Sequence, residues 1–348
     1  MAIDARSLAA GQDTGIGRYI HALIAALREG HGVSTALYRQ EFPRLLGPQF
    51  GVALRMRLGG ASVIHGPANA LPLARYGLPG VVTVHDLAIY DHPEWFPGGQ
   101  WFATRVVVPR SVRSARLIIC PSRATADAVA RLMCVEVGRC RVIPHGVEPE
   151  FALPVAEEIE AETRSRYALP ERYILQVGTV QPRKNYLATL RALARIPAGE
   201  RIPLLVAGGL GWDYEPVIRT VERLGLRSWV RFLGYVGIHD LPALYQMARA
   251  VAFPSYDEGF GLPILEAFAA GVPVAASTAG AIPEVAADAA LLCAPDDEAA
   301  LAQNLQRLIS DEPLRQRQIA AGRLRAARYT WSASAARHAQ VYRDAAAG

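Results

Sequence analysis

Short apolar runs alternate with helical runs along almost the whole chain, in two separate series. The first series has strand-like runs at 2–5, 33–38, 62–65, 81–85, 117–120 and 141–143, with helices at 18–27, 101–115 and 123–133. The second has runs at 173–177, 204–207, 229–232, 250–253, 272–276 and 291–293, interleaved with helices at 185–195, 215–224, 240–248, 263–270 and 297–310. The runs are nearly continuous in apolar residues, as strands buried on both faces must be. Strand–helix–strand alternation implies parallel sheets, because a parallel pair needs a crossover connection. Two such series in 348 residues predict two Rossmann-like, doubly wound α/β domains facing a cleft. Residues 150–170 carry Glu157, Glu158, Glu160 and Glu162 without a strand pattern and read as the link. Tract 312–346 is helical, with a break at Tyr329-Thr330-Trp331-Ser332 where Ser332 is a candidate cap. The expected domains are 1–165 and 166–330, with the last helix, 331–346, packing back on the first.

In sheets of this kind ligands bind beyond the carboxyl ends of the strands. Gly15, His85, Gly178, Gly208 and Glu258 all fall in loops at those ends. The most informative loop is Asp257-Glu258-Gly259-Phe260-Gly261-Leu262-Pro263-Ile264-Leu265-Glu266. Pro263 suits a first helical turn, and Gly271 suits the end of that helix. Glu258 then lies on a glycine-rich loop and Glu266 one turn into the helix. Backbone N–H groups of Gly259, Phe260 and Gly261 would converge on an anion, with two carboxylates at its edge as acceptors for hydroxyls.

Hydrophobic residues make up 51% of the chain and charged residues 20%, which fits a packed protein rather than a disordered one. No apolar run reaches the roughly 18 residues needed to span a bilayer, and no signal peptide precedes Ile3, so a cytoplasmic protein is expected. Cys120, Cys134, Cys140 and Cys293 lack a C-x-x-C spacing, so neither a zinc site nor a disulfide framework is expected. The net charge of +5 comes entirely from the first half: residues 1–150 hold 16 Arg against 11 Asp plus Glu, and the remainder holds 21 of each sign. A polyphosphate, an acidic substrate or an anionic membrane surface accounts for that asymmetry, as does an arginine-rich solvated face. Nucleic acid is not an expected partner. Among 37 basic side chains only Lys184 is a lysine, within Gly178-Thr179-Val180-Gln181-Pro182-Arg183-Lys184-Asn185. A compact ammonium beside a planar guanidinium offers phosphate two different kinds of donor.

The first loop, Thr14-Gly15-Ile16-Gly17-Arg18-Tyr19-Ile20, departs from the dinucleotide fingerprint G-x-G-x-x-G because Ile20 occupies the third glycine position. Taken together, Glu258-x7-Glu266, Gly178…Arg183-Lys184-Asn185 and Gly15-x-Gly17 resemble the family-4 retaining glycosyltransferases of GT-B fold, over nearly the whole chain. Thr83-Val84-His85-Asp86-Leu87, His92-Pro93-Glu94-Trp95-Phe96 and Val142-Ile143-Pro144-His145-Gly146-Val147 resemble the bacterial mannosyl- and rhamnosyltransferase branch that builds surface polysaccharides, lipopolysaccharide among them.

The resemblance implies a donor-binding second domain and an acceptor-binding first domain. Arg183 and Lys184 would hold the donor diphosphate and stabilise the leaving nucleotide. Glu266 would accept from the ribose hydroxyls and Glu258 from the sugar. Gly259, Phe260, Gly261 and Leu262 would approach the sugar and phosphate. Gly15 and Gly17 would close over the phosphates, and Gly178, Gly208, Tyr235 and Val236 would line the nucleotide pocket. His85, assisted by Asp86, and His145 would serve the acceptor side. Catalysis would rest on His85, Arg183, Lys184 and Glu258. No Asp-x-Asp motif occurs, so no metal and no cofactor is expected. The implied partners are a nucleotide-diphosphate sugar, GDP-linked by preference, and an oligosaccharide or lipid-linked acceptor. The basic segments Arg44-Leu45-Leu46…Leu58 and Arg105–Arg116 are candidates for contact with an anionic inner membrane face. A nucleotide-sugar epimerase of the same fold and a non-catalytic sugar-nucleotide-binding subunit are the alternative readings.

Overall fold

The computed structural model describes residues 1–4, 15–38 and 47–347. The chain divides into two compact units, Met1–Gly146 with Thr330–Gly348, and Val147–Tyr329. Each unit contains one parallel sheet of six strands among the described residues.

The sheet of the first unit is built from β1 (Ala2–Asp4), β2 (Ala36–Tyr38), β3 (Ile64–Gly66), β4 (Gly80–Thr83), β5 (Leu117–Cys120) and β6 (Cys140–Val142), in the order β2-β1-β3-β4-β5-β6. Its central strands are apolar and buried throughout, which is why they read as continuous runs rather than alternating ones. Helices α1 (Gly15–Arg28), α2 (Gly47–Leu58), α3 (Ala88–Asp91), α4 (Val108–Ser114) and α5 (Arg123–Met133) connect them. Gly15 and Gly17, expected in a loop, are the opening residues of α1, and the rest of that loop lies outside the described residues. Residues 103–107 of the expected helix 101–115 form a π-helical stretch ahead of α4. Pro109 explains it, because it lacks an N–H for the carbonyl four residues back and its ring crowds that carbonyl. In α2, Ala53 and Met56 are fully buried while Leu54 and Leu58 are exposed, so one face is docked on the sheet. Arg44, Leu45 and Leu46 lie outside the described residues.

The second unit opens with α6 (Glu157–Arg166), where a link was expected. Its glutamates crowd the first turn, and Arg164 and Arg166 the last, matching the helix dipole at both ends. Arg166 and Tyr167 both donate to Asp240, at 2.7 and 2.8 Å, tying α6 to this unit. The unit boundary therefore falls after Gly146, ahead of residue 165 where the sequence reading put it. There follow β7 (Ile174–Val177), α7 (Tyr186–Arg195), β8 (Leu204–Ala207), α8 (Glu215–Arg223), β9 (Val230–Gly234), α9 (Leu241–Gln246), β10 (Ala250–Phe253) and α10 (Leu262–Ala269). The unit ends with β11 (Val274–Ser277), α11 (Ile282–Ala286), β12 (Ala290–Cys293), α12 (Glu298–Ser310) and α13 (Glu312–Ala326). Strand order is β12-β11-β10-β7-β8-β9, the doubly wound arrangement, with its reversal between β7 and β10.

The final helix, α14 (Trp331–Ala347), belongs to the first unit. Its residues Trp331, Ala335, Ala339, Tyr342 and Ala345 pack with Tyr19, Ile20, Leu23 and Leu27 of α1. The cap is Thr330 rather than Ser332: its Oγ1 accepts from the Ala333 N–H at 3.2 Å. Gly146 permits the approach, since a Cβ there would stand 2.3 Å from the Trp331 nitrogen. No helix among the described residues is long and apolar enough to cross a membrane.

Candidate functional site

A doubly wound sheet binds its ligand where the strand order reverses, outside the carboxyl ends. In the second unit that point lies between the loops following β7 and β10. The first of these carries Arg183 and Lys184 in a single 3₁₀ turn, Pro182–Lys184, and the second carries Glu258. The two loops meet in an ion triad. Lys184 Nζ lies 2.5 Å from Glu258 Oε1, and an Arg183 Nη lies 2.9 Å from Glu258 Oε2. The same guanidinium nitrogen donates to the Asp257 carbonyl at 2.9 Å. All three side chains are largely buried, at 12%, 12% and 8% exposure, so the attractions act with little solvent screening. Burial alone would raise the Glu258 pKa, but the charges of Arg183 and Lys184 outweigh it and hold the carboxyl at about 2. Each carboxylate oxygen takes one cation, so Glu258 bridges the pair.

Asn185 locks this turn. It adopts a left-handed conformation, φ 51°, and its Oδ1 accepts from the Ala188 N–H to start α7. Its Nδ2 donates to the carbonyls of Pro254, at 3.0 Å, and Pro295, at 2.7 Å. Gln176, an amide inside the otherwise apolar strand β7, donates to the Lys184 carbonyl at 3.0 Å. On the other side, the Ala281 N–H donates to the Glu258 carbonyl at 2.8 Å. Gly280 sits against that loop with φ +55°, where a Cβ would come within 2.3 Å of Asp257 Oδ1 and 2.6 Å of the Glu258 carbonyl oxygen. Sequence reasoning did not single out Gln176 and Gly280. An amide interrupting a buried strand was the available signal for the first.

The glycines expected in the pocket have packing reasons to be glycine. A Cβ on Gly208 would stand 2.0 Å from the Gly178 carbonyl oxygen, and one on Gly178 would press on the Lys184 stem at 3.3 Å. Gly178 N–H bonds to Ala207 O, Val180 N–H to Gly209 O and Gly208 N–H to Gly234 O, so the loops after β7, β8 and β9 are stitched together by backbone. Tyr235 is 63% exposed beyond β9, whereas Val236 is in the core. Gly261, φ 99°, is the N-cap of α10, and Leu262 is its first residue. Gly259 is buried, and the Phe260 ring packs edge-on against Tyr329, so the Phe260 side chain is a core anchor for the loop.

Glu266 points elsewhere. It is 1% exposed, and its Oε2 accepts from the Tyr245 hydroxyl of α9 at 2.9 Å. The two carboxylates of the motif therefore have separate surroundings, one in the cation pair and one beside a phenol.

In the first unit, the His85 N–H donates to Asn69 Oδ1 at 2.8 Å and its Nε2 lies 2.7 Å from the Pro67 carbonyl. A carbonyl only accepts, so Nε2 carries the proton and Nδ1 the lone pair. Burial lowers the His85 pKa, which keeps the ring neutral. Asp86 Oδ1 accepts from the Ala88 N–H at 3.3 Å and closes the turn ahead of α3, and its charge acts on the neighbouring His85 ring. His145, expected to reach an acceptor, is 4% exposed and stacked on Trp331 at 6.0 Å and 24°. Its place is behind His85, 5.4 Å between centroids, rather than at a surface. Tyr19, from α1, lies against both: 4.8 Å and edge-on to His85, 4.7 Å from His145. Gly17 is buried and Gly15 exposed at the start of that helix.

Two doubly wound parallel sheets, with a paired-cation site at the strand-order reversal of one, have the GT-B arrangement. The profile described as "Glycosyl transferases group 1" matches residues 159–325, and that described as "Glycosyltransferase Family 4" matches residues 26–151. An O-antigen chain mannosyltransferase B of Escherichia coli is 34% identical over 274 residues, covering 77% of this chain and 71% of that protein. A D-inositol 3-phosphate glycosyltransferase of Stackebrandtia nassauensis is 32% identical, covering 81% and 66%. Among solved structures, sucrose-phosphate synthase from Thermosynechococcus elongatus superposes with a TM-score of 0.79 at 22% identity, covering 99% and 98%. WaaG, a glycosyltransferase involved in lipopolysaccharide biosynthesis, superposes at 0.76 with 19% identity, covering 98% of each chain. The chain belongs to the family-4 glycosyltransferases and is a hexosyltransferase by family.

Proposed function

We propose that the protein transfers a hexose, mannose or rhamnose by preference, from a GDP-linked donor to a glycan or lipid-linked saccharide acceptor in bacterial surface polysaccharide synthesis. The observation that carries the reading is the Glu258 bridge between Arg183 and Lys184 at the strand-order reversal. A diphosphate offers these cations more negative charge than one carboxylate. On donor binding it becomes their counter-ion, which frees Glu258 oxygens to accept from sugar hydroxyls. The same two cations then neutralise the charge that develops on the leaving nucleotide, the work that a metal performs elsewhere. Glu266 offers its carboxylate to the ribose hydroxyls, with the buried Tyr245 hydroxyl holding its Oε2 in place. Transfer proceeds with retention by front-face substitution, a donor phosphate oxygen taking the acceptor proton as the sugar passes through an oxocarbenium-like state. The mannose preference draws support from the relative named as an O-antigen mannosyltransferase.

The first unit supplies the acceptor side around His85. Its arginine excess suits a lipid-diphosphate acceptor, with the protein cytoplasmic and peripheral on the inner membrane face. No cofactor or metal takes part.

The test is a thermal-shift panel of GDP-, UDP-, ADP- and TDP-sugars, because a ligand of the native state raises its apparent stability. GDP-mannose or a GDP-linked deoxyhexose is expected to give the largest shift. A shift confined to UDP- or ADP-sugars sinks the donor assignment. Turnover that persists in EDTA, giving an anomer matching the donor by NMR, is the expected outcome for the mechanism; an inverted product overturns it.

A further inference from the structure

Three of the eight histidines, His65, His145 and His338, are buried in the first unit, and two of them, His65 and His338, belong to a hydrogen-bonded circuit that the reaction does not use directly. His338 Nδ1 stands 2.8 Å from the Ser334 carbonyl one turn earlier on α14. The carbonyl can only accept, so Nδ1 carries the proton and Nε2 of the neutral ring accepts. Nε2 is 2.9 Å from the Tyr19 hydroxyl, which therefore donates to it. Tyr19 has then spent its proton, so its 2.9 Å contact with Thr83 Oγ1 is one in which Thr83 donates. Thr83 in turn must accept at its 2.8 Å contact with His65, whose Nε2 is protonated. His65 Nδ1 accepts from the Tyr342 hydroxyl, 3.0 Å away. The chain begins and ends on α14, since Ser334, His338 and Tyr342 are spaced four residues apart on one face. Tyr19, His65, Thr83, His338 and Tyr342 are all 3% exposed or less. Running the protons the other way requires a charged His338. Burial and the nearby Arg337 oppose that charge and hold its pKa at about 4.

Tyr19 is the point where this circuit touches the acceptor-side histidine. Its hydroxyl is fixed by Thr83 and His338, while its ring stands edge-on to His85, 81° between planes. His85 is held from its other side by Pro67 and Asn69. We propose that Tyr19 is a positioning residue for His85 and that the C-terminal helix α14, remote in sequence, sets the orientation of that imidazole through the Tyr19 hydroxyl. The proposal rests on the reading of His85 as an acceptor-side residue. A phenylalanine would fill the same space, but it would leave His338 Nε2 and Thr83 Oγ1 without their shared partner.

Two measurements test it. In ¹⁵N-histidine NMR of the full chain at neutral pH, His338 is expected as the Nδ1–H tautomer and His65 and His85 as Nε2–H. A charged or Nε2–H His338 overturns the circuit. Tyr19→Phe is expected to shift the His85 resonances and to lower kcat about five- to tenfold with GDP-mannose and a mannosyl oligosaccharide, leaving the donor KM unchanged. In a His85→Ala background the same substitution should cost nothing further. An equal loss in both backgrounds makes Tyr19 merely structural. If His85→Ala alone leaves turnover intact, the acceptor-side reading fails by itself. Positioning is then judged on the resonances, and a Tyr19→Phe protein with unmoved His85 signals overturns it. Thr83→Val breaks the circuit without altering the Tyr19 ring, and the same cycle run with it serves if Tyr19→Phe does not fold.

Discussion

Replacing Glu258 with Gln keeps the size and shape of the side chain but removes the charge that two buried cations share. In the native protein the carboxyl is held at about 2 against an ordinary 4.5. That difference corresponds to about 3 kcal/mol favouring the ionised, paired form. Glutamine forfeits it, leaves Arg183 and Lys184 facing each other, and aims an amide donor at one of them. Removing one partner of a buried pair costs about 3–5 kcal/mol for the same reason. The expected outcome at pH 7 is a loss of about 3 kcal/mol, or a Tm lower by about 6–12 °C for a unit of this size. The sign with pH follows from linkage. Because the folded pKa is depressed, the stabilisation is present above pH 4.5 and is lost as pH falls toward 2. Urea melts of the two proteins should therefore differ most at neutral pH, with the gap at pH 3 reduced by more than half. A gap below about 1 kcal/mol at pH 7, or one equal at pH 7 and pH 3, would refute the argument that these charges act as a buried, coupled triad.

Gly280→Ala should displace the Glu258 loop, because the new Cβ meets Glu258 backbone atoms below 3 Å at a left-handed φ. A cost of about 2 kcal/mol or more and a weakened thermal shift with donor are expected, and an unchanged donor shift would count against the clamp. Asn185→Ala removes a helix cap and two buried hydrogen bonds, so about 2–3 kcal/mol should be lost in denaturant melts, with Asn185→Asp recovering only the cap. His338 is buried neutral with its pKa lowered to about 4, so the unfolded chain binds its proton first. Its contribution should fall away as pH drops from 6.5 toward 4, visible as a melt in which His338→Gln flattens the acid slope.

The alternation of apolar runs announced two parallel sheets, and the structure has strands at every one of those positions; the central ones, β4, β5, β8, β10 and β11, are buried throughout, and doubly buried strands leave a continuous apolar signature. The family motif was equally legible. Glu258, Arg183 and Lys184 were picked out from residue type and loop position, and the fold brings them within hydrogen-bonding distance. The sequence misplaced the start of the second unit because α6 has almost no apolar face. Its place is decided by Asp240, which is 74 residues away from Arg166. Nor could local pattern show that Phe260 and His145 turn inward, or that Gly208 is glycine because the Gly178 carbonyl occupies its Cβ position.

By itself, then, the amino-acid order determined the periodicity, the strand-end loops and the chemical types gathered there, since those depend on neighbours along the chain. Only the tertiary structure decided which charges pair, which carboxylate stands apart with Tyr245, and which way each buried proton points. These depend on groups brought together across tens to hundreds of residues. Tyr19 and His338 are 319 positions apart, and no spacing rule connects them.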